Sequence, residues 1–117
     1  RRKNGRYFVD LFENNSDLII QKELGKSSWF GFSIVLKDRN TSLKKELFKR
    51  LKENGFEIRP IVSGNFANQP VAELMNIQNT SNLENADHID NYGFFIGNHH
   101  YLCYEDFNDF KKILTSV

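Results

Sequence analysis

Apolar and polar positions repeat along this chain with two different periods, and the changes of period mark its elements. Over residues 6–12, Tyr7, Phe8, Leu11 and Phe12 fall at i, i+1, i+4 and i+5, which gathers them on one face of a helix. Asn14-Asn15-Ser16 ends that helix. Leu18-Ile19-Ile20 is a short apolar run, and Lys22 to Lys26 reads as a polar connection. From Ser28 to Lys37 the period is two. Phe30, Phe32, Ile34 and Leu36 alternate onto one face, and Trp29, Gly31, Ser33 and Val35 take the other, which predicts a strand. Asp38-Arg39-Asn40 turns the chain, and Thr41 or Ser42 is placed to cap a helix with the apolar stripe Leu43, Leu47, Phe48 and Leu51. Asn54-Gly55 stops it, because glycine accepts the left-handed backbone of a helix C-terminus.

A second strand follows over Phe56–Val62. Pro60 cannot donate to a ladder, so this strand belongs at a sheet edge or ends near Arg59. Residues 63–82 read as irregular, with one helical turn around Val71 to Met75. Asn82 to Asn91 predicts a short helix that turns Leu83, Ala86 and Ile89 inward, and Tyr92 to Ile96 a third strand. Tyr104 to Leu114 closes the chain as a helix burying Phe107, Phe110, Ile113 and Leu114. The order predicts an α+β domain, a small antiparallel sheet of about three strands with helices packed on it.

The chain has 117 residues, enough for one domain that buries roughly two-thirds of its unfolded surface without a metal or disulfide staple. Sixteen basic and fifteen acidic residues are interleaved for a net charge of +1, which lacks the basic surplus of a nucleic-acid binder. No apolar run approaches the roughly 18 residues that cross a bilayer, so neither nucleic acid nor membrane is expected as a partner. The lone Cys103 excludes an intrachain disulfide and fits a reducing compartment. The first residue is not Met and the first helix opens as if in mid-course, so the chain is expected to be a piece of a longer protein.

Candidate chemistry is sparse. There is no Gly-x-Gly-x-x-Gly, phosphate loop, Gly-x-Ser-x-Gly or His-Glu-x-x-His. His99, His100, Cys103 and His88 invite a metal reading. Adjacent histidines on extended chain point apart, and structural zinc wants paired thiolates, so no metal site is expected. Phe94-Phe95 and Trp29-Phe30 could offer stacking platforms, but aromatics in strands normally belong to the core. Arg59 is more informative. It stands at a strand end before a loop carrying Ser63, Gly64, Asn65, Asn68 and Gln69, and its guanidinium suits bidentate recognition of a phosphate or carboxylate. The bland alternative is a surface ion pair with Glu57 or Glu53. Asn65 and Asn98 each follow a glycine and equally suit turns.

The stretch Asn54-Gly55-Phe56-Glu57-Ile58-Arg59-Pro60-Ile61-Val62-Ser63-Gly64-Asn65-Phe66, then Gln69-Pro70, resembles the C-terminal domain of the DegT/StrS family. Ser28-Trp29-Phe30-Gly31-Phe32, Asn85-Ala86-Asp87 and Gly93-Phe94-Phe95-Ile96-Gly97-Asn98-His99 agree in order and spacing, so the resemblance runs from residue 1 to about 116. Family members are pyridoxal-phosphate (PLP) enzymes of the aspartate-aminotransferase fold that act on nucleotide-linked 4-keto sugars. The Arg-Pro-Ile-Val-x-Gly-Asn-Phe and Gly-Phe-Phe-x-Gly-Asn-His forms are most like the branch of GDP-4-keto-6-deoxymannose 3-dehydratases. Many sugar aminotransferases differ at Val62-Ser63-Gly64-Asn65.

The resemblance implies a bacterial, cytoplasmic enzyme of lipopolysaccharide or deoxysugar synthesis, homodimeric when intact. PLP would be held by an N-terminal domain absent from this chain, and none by the chain alone. The residue that decides between dehydratase (His) and aminotransferase (Lys) would lie in that missing domain. Residues 1–17 would be the tail of an interdomain helix with its connection, and 18–117 the small C-terminal domain, catalytically silent by itself. Arg59, Ser63, Gly64, Asn65, Gln69, Asn98 and His99 would line the cleft for the nucleotide-diphosphate sugar. The competing expectation is a free-standing α+β ligand-binding or regulatory module without catalysis.

Overall fold

The computed structural model describes residues 1–78 and 81–116, so residues 79 and 80 of the predicted irregular segment lie outside the described residues. Helix α1 (Arg2–Phe12) leads into β1 (Leu18–Ile20) and β2 (Gly31–Leu36). Then come α2 (Thr41–Glu53), β3 (Ile58–Arg59), a 3-10 turn (Phe66–Asn68) and α3 (Pro70–Leu74). Helix α4 (Glu84–Tyr92), β4 (Gly93–Gly97) and α5 (Tyr104–Thr115) complete the chain. The strands form one antiparallel sheet in the order β1-β2-β4-β3. The α+β class stands, with four strands rather than about three. The extra one is β1, a three-residue run too short to show a period, which pairs Leu18 with Leu36 and Ile20 with Ile34. The strand carrying Pro60 lies at the sheet edge and stops at Arg59, as expected of a residue without a backbone donor.

One sheet face carries Phe32, Ile34 and Leu36 of β2 with Phe94 and Ile96 of β4. Phe8 and Phe12 of α1, Leu47 and Leu51 of α2, and Phe107 and Phe110 of α5 close over it. The phenylalanines interlock: Phe8 stacks on Phe32 at 4.2 Å, and Phe107 meets Phe32 edge-on at 5.2 Å. Each such ring contributes roughly 2–3 kcal/mol by leaving water. Ile113 and Leu114, expected inside, are half-buried at the end of α5, as are Leu83, Ala86 and Ile89 around α4.

Two local expectations are corrected. Helix α2 is capped by Asn40, whose Oδ1 accepts from the backbone N–H groups of Ser42 (2.9 Å) and Leu43 (3.2 Å), so neither Thr41 nor Ser42 is the cap. Its far end closes as expected: Gly55 takes φ +81°, and Phe56 N–H reaches back to Leu51 C=O at 2.9 Å.

The second correction concerns the start of β2. Trp29 is buried and packs beside Phe32 at 5.8 Å, whereas Phe30 is 70% exposed, the reverse of the strict alternation. The cause is a left-handed backbone at Trp29, φ +54°, which inverts the parity before the strand begins. Such a conformation costs roughly 1–2 kcal/mol in a non-glycine residue, and burial of a large aromatic, at about 2–3 kcal/mol, exceeds it. Ser27 Oγ accepts from Trp29 N–H at 2.9 Å and holds the turn. Gly5 makes the space: a Cβ there would sit 2.6 Å from the indole.

Candidate functional site

Arg59 and Phe95 face each other across the β3–β4 register, so their side chains share the sheet face opposite the core. On that face β4 continues to Gly97, which pairs with Gly31 of β2. A Cβ on Gly31 would lie 2.1 Å from Phe95 Cζ, so the Phe95 ring lies across the glycine. Phe30 stacks on Phe95 at 5.8 Å and 24°, and the Arg1 guanidinium stands 5.8 Å from the Phe30 centroid. Of the two stacking pairs assigned to the core, Trp29 and Phe94 are buried, while Phe30 and, in part, Phe95 stand outside it.

A groove of about 570 Å³ runs along this end of the sheet. Arg59 and Glu57 form one side, Asn98, His99 and Tyr101 the other, with Phe30 and Phe95 between. Three of the sequence candidates, Arg59, Asn98 and His99, thus come together. Arg59 Nε and Nη2 both donate to Glu57 Oε1, at 2.9 and 2.5 Å. Both side chains of that pair are well over half exposed, so it is worth at most about 1 kcal/mol and yields readily to a stronger anion. His99 is exposed and stacks on Tyr101 at 4.8 Å.

Asn98 is only 6% exposed. Its Nδ2 donates to Trp29 C=O (2.8 Å) and Arg1 C=O (3.2 Å), and its Oδ1 accepts from Asn4 Nδ2 (2.9 Å). Both of its N–H donors are thereby used within the fold.

Ser63, Gly64, Asn65 and Gln69 do not line this groove; their loop is pinned to α4 instead. Asn65, 3% exposed, accepts from Ala67 N–H at 3.0 Å and donates to Asp87 Oδ1 at 2.7 Å, and Asn68 Nδ2 reaches the same oxygen at 2.9 Å. Gly64 lies against the α4 backbone, where its Cβ would meet Asp90 Cα at 2.7 Å. Ser63 is exposed with φ +51°, and half-buried Gln69 leads into Pro70, the first residue of α3.

Sequence reasoning missed Arg1, Phe30 and Tyr101 as groove residues. For Phe30 the signal was present in Gly31, which signals close approach of a neighbour. Among the described residues no group of three His, Cys, Asp or Glu side chains is placed to hold a metal. No lysine lines the groove: Lys44 donates to Asn91 C=O, Lys112 pairs with Asp109, and Lys37 donates to Asn15 C=O. None of these lysines is therefore placed to form a Schiff base at the groove. Glu46 on α2, its carboxyl held below the usual range by a hydrogen bond from Arg50, also lies outside the groove. No helix of the described residues is long and apolar enough to cross a membrane.

No family model matches the chain. It is 38% identical over 115 residues to the GDP-4-keto-6-deoxy-D-mannose 3-dehydratase of Escherichia coli O55:H7, and 40% identical over 115 residues to that of Yersinia pseudotuberculosis. These matches cover 97% of the chain but only 30% and 29% of the relatives, so the chain spans about three-tenths of their length. The lipopolysaccharide biosynthesis protein RfbH of Salmonella typhimurium is 36% identical over 75 residues, 64% of this chain and 17% of that protein. Among solved structures, the Escherichia coli dehydratase with bound hydrated PLP superposes with a TM-score of 0.86 over 97% of this chain and 29% of that one, at 38% identity. A variant of the dehydratase with bound GDP-perosamine fits equally well, at 38% identity over 97% of this chain and 30% of that one. By sequence and fold together, the chain belongs to the DegT/StrS family of PLP enzymes and corresponds to the C-terminal three-tenths of its GDP-4-keto-6-deoxymannose 3-dehydratases.

Proposed function

We propose that this chain is the C-terminal part of a PLP-dependent GDP-4-keto-6-deoxyhexose 3-dehydratase of bacterial lipopolysaccharide synthesis, and that it supplies one wall of the sugar-nucleotide cleft. The observation that carries the reading is the match at 38–40% identity along nearly the whole chain to two such dehydratases. In this reading PLP is held by the missing N-terminal domain, residues 1–17 form the tail of the helix leading from it, and residues 18–117 are the small domain. The intact protein is a cytoplasmic homodimer, and the chain by itself turns over nothing. PLP, carried to its amine form by an amino-acid donor, would supply the electron sink for loss of the sugar's 3-hydroxyl.

Arg59 takes an anionic oxygen of the nucleotide sugar, releasing its loose pair with Glu57. His99 offers a ring nitrogen to the sugar or phosphate from the facing rim. Asn98 holds that rim in place, while Asn65, spent on Ala67 N–H and Asp87, ties the separate loop of Ser63, Gly64 and Gln69 to α4 rather than to the groove.

The test uses the longer protein loaded with PLP and supplied with L-glutamate, as the donor of the amino group and of two electrons, together with GDP-4-keto-6-deoxy-D-mannose, reading 3-deoxy product by mass spectrometry. The longer protein gives product and the 117-residue chain gives none. Formation of a 4-amino sugar instead would place the parent among aminotransferases. Arg59→Ala is expected to raise KM about tenfold, the scale of one lost charge-assisted hydrogen bond; unchanged KM and kcat would remove Arg59 from the site.

A further inference from the structure

Among the described residues the most enclosed polar side chain belongs to Asn4, on α1, at 0% exposure. Its Nδ2 donates to Asn98 Oδ1 (2.9 Å), Tyr101 C=O (2.6 Å) and, more distantly, His99 C=O (3.3 Å). Its Oδ1 accepts from Cys103 N–H at 3.2 Å. The amide orientation is fixed by these neighbours, because the reversed rotamer would set its oxygen against two carbonyls and its N–H groups against another N–H. Every contact lies 94 to 99 residues away in sequence, and all of them fall on the loop that carries His99 and Tyr101.

This arrangement is not needed to build the helix. Ordinary capping or packing would place an apolar residue at a fully buried position of α1, as it does at Phe8 and Phe12. A buried amide is tolerated only where its partners are all supplied, and here they are drawn from one loop. Through Asn98 the same network reaches Trp29 C=O, the residue whose left-handed backbone starts β2. Helix α1, the rim of the groove and the start of the central strand are thus tied at a single point.

We propose that Asn4 is a positioning residue, which fixes the Asn98–Cys103 loop from α1 so that His99 and Tyr101 stand at the groove mouth; its catalytic consequence rests on the reading of the groove given above. Movement of α1 relative to the sheet would be passed directly to that rim.

The experiment measures amide hydrogen exchange on the 117-residue chain in Asn4→Leu, a near-isosteric loss of polarity, beside Phe12→Leu, which weakens the same helix with no polar reach to the loop. In Asn4→Leu the amides of residues 99–103 should exchange on the order of tenfold faster while those of β2 and β4 change little. In Phe12→Leu the loop should accelerate no more than the sheet. Equal acceleration of loop and sheet in Asn4→Leu, or a loop loosened as much by Phe12→Leu, would overturn the proposal. Should Asn4→Leu not fold, Asn4→Ser is judged by the same comparison.

In the longer protein, Asn4→Leu should raise KM for GDP-4-keto-6-deoxy-D-mannose with kcat nearly kept, and lose that effect on a His99→Ala background. A loosened loop with unchanged KM would refute the groove reading while leaving the control of the loop by Asn4 in place.

Discussion

Two Gly-Asn pairs, Gly64-Asn65 and Gly97-Asn98, look alike in sequence, and the fold uses them in opposite ways. Both asparagines are buried and both are spent on internal hydrogen bonds. Asn65 works locally, capping the turn that follows it, and has one distant partner on α4. Asn98 works at long range, joining α1, Trp29 and its own loop. The glycines invert the contrast. Gly64 is pressed against the backbone of α4, while a Cβ on Gly97 would meet nothing within 4 Å. One corner therefore needs its glycine for packing and the other needs its asparagine, so only the Gly97 corner has free space, and that space is the groove.

The sharpest way to break this contrast is Asn98→Ala. It strands Trp29 C=O in a buried site and removes one partner each from Arg1 C=O, which keeps Gly5 N–H, and from Asn4 Nδ2, which keeps Tyr101 C=O, at about 3 kcal/mol in total, or on the order of 10 °C in Tm. Thermal unfolding followed by circular dichroism checks it. Gly64→Ala comes next. A methyl at 2.7 Å from Asp90 Cα meets backbone that cannot rotate away, so about 2 kcal/mol is expected by chemical denaturation. Asn65→Ala should cost about 1 kcal/mol, because it removes a cap and a hydrogen bond while Asp87 keeps Asn68 as donor. If Asn65→Ala costs as much as Asn98→Ala, the division into a local and a long-range corner collapses.

The legibility of these features in the sequence follows the range of the interactions behind them. Helix faces, the Asn54-Gly55 stop, the edge position of the Pro60 strand and the pairing of Arg59 with Glu57 depend on neighbours within a few residues, and all could be read. Asn40 was displaced by a single position, since three adjacent residues of similar capping chemistry compete there. The inverted parity at Trp29 could not be read. It depends on space left by Gly5, 24 positions earlier, and on an amide 69 positions later. Asn4 was passed over for the same reason: nothing near it in sequence is polar in a way that predicts a loop nearly a hundred residues away. Of the candidate site, the residues that meet on the groove were found by type, but the groove itself exists because Phe30 was turned outward by that unreadable inversion.

Gly97→Ala has the smallest expected effect on stability and sharpens the comparison most. Its Cβ enters open space, and its backbone is ordinary strand paired with Gly31, so stability should change by less than about 0.5 kcal/mol, with the better strand propensity of alanine offsetting any loss. The added methyl instead projects into the groove between Arg59 and His99. In the PLP-loaded longer protein KM for the sugar nucleotide should therefore rise several-fold with Tm unmoved, measured on the same preparation. Gly64→Ala should show the reverse, a lower Tm with KM nearly kept once the protein is folded. The opposite signs of the two alanines separate a glycine required by packing from one that leaves room for a ligand, and a Gly97→Ala protein with normal KM would show that the groove is not where the nucleotide sugar lies.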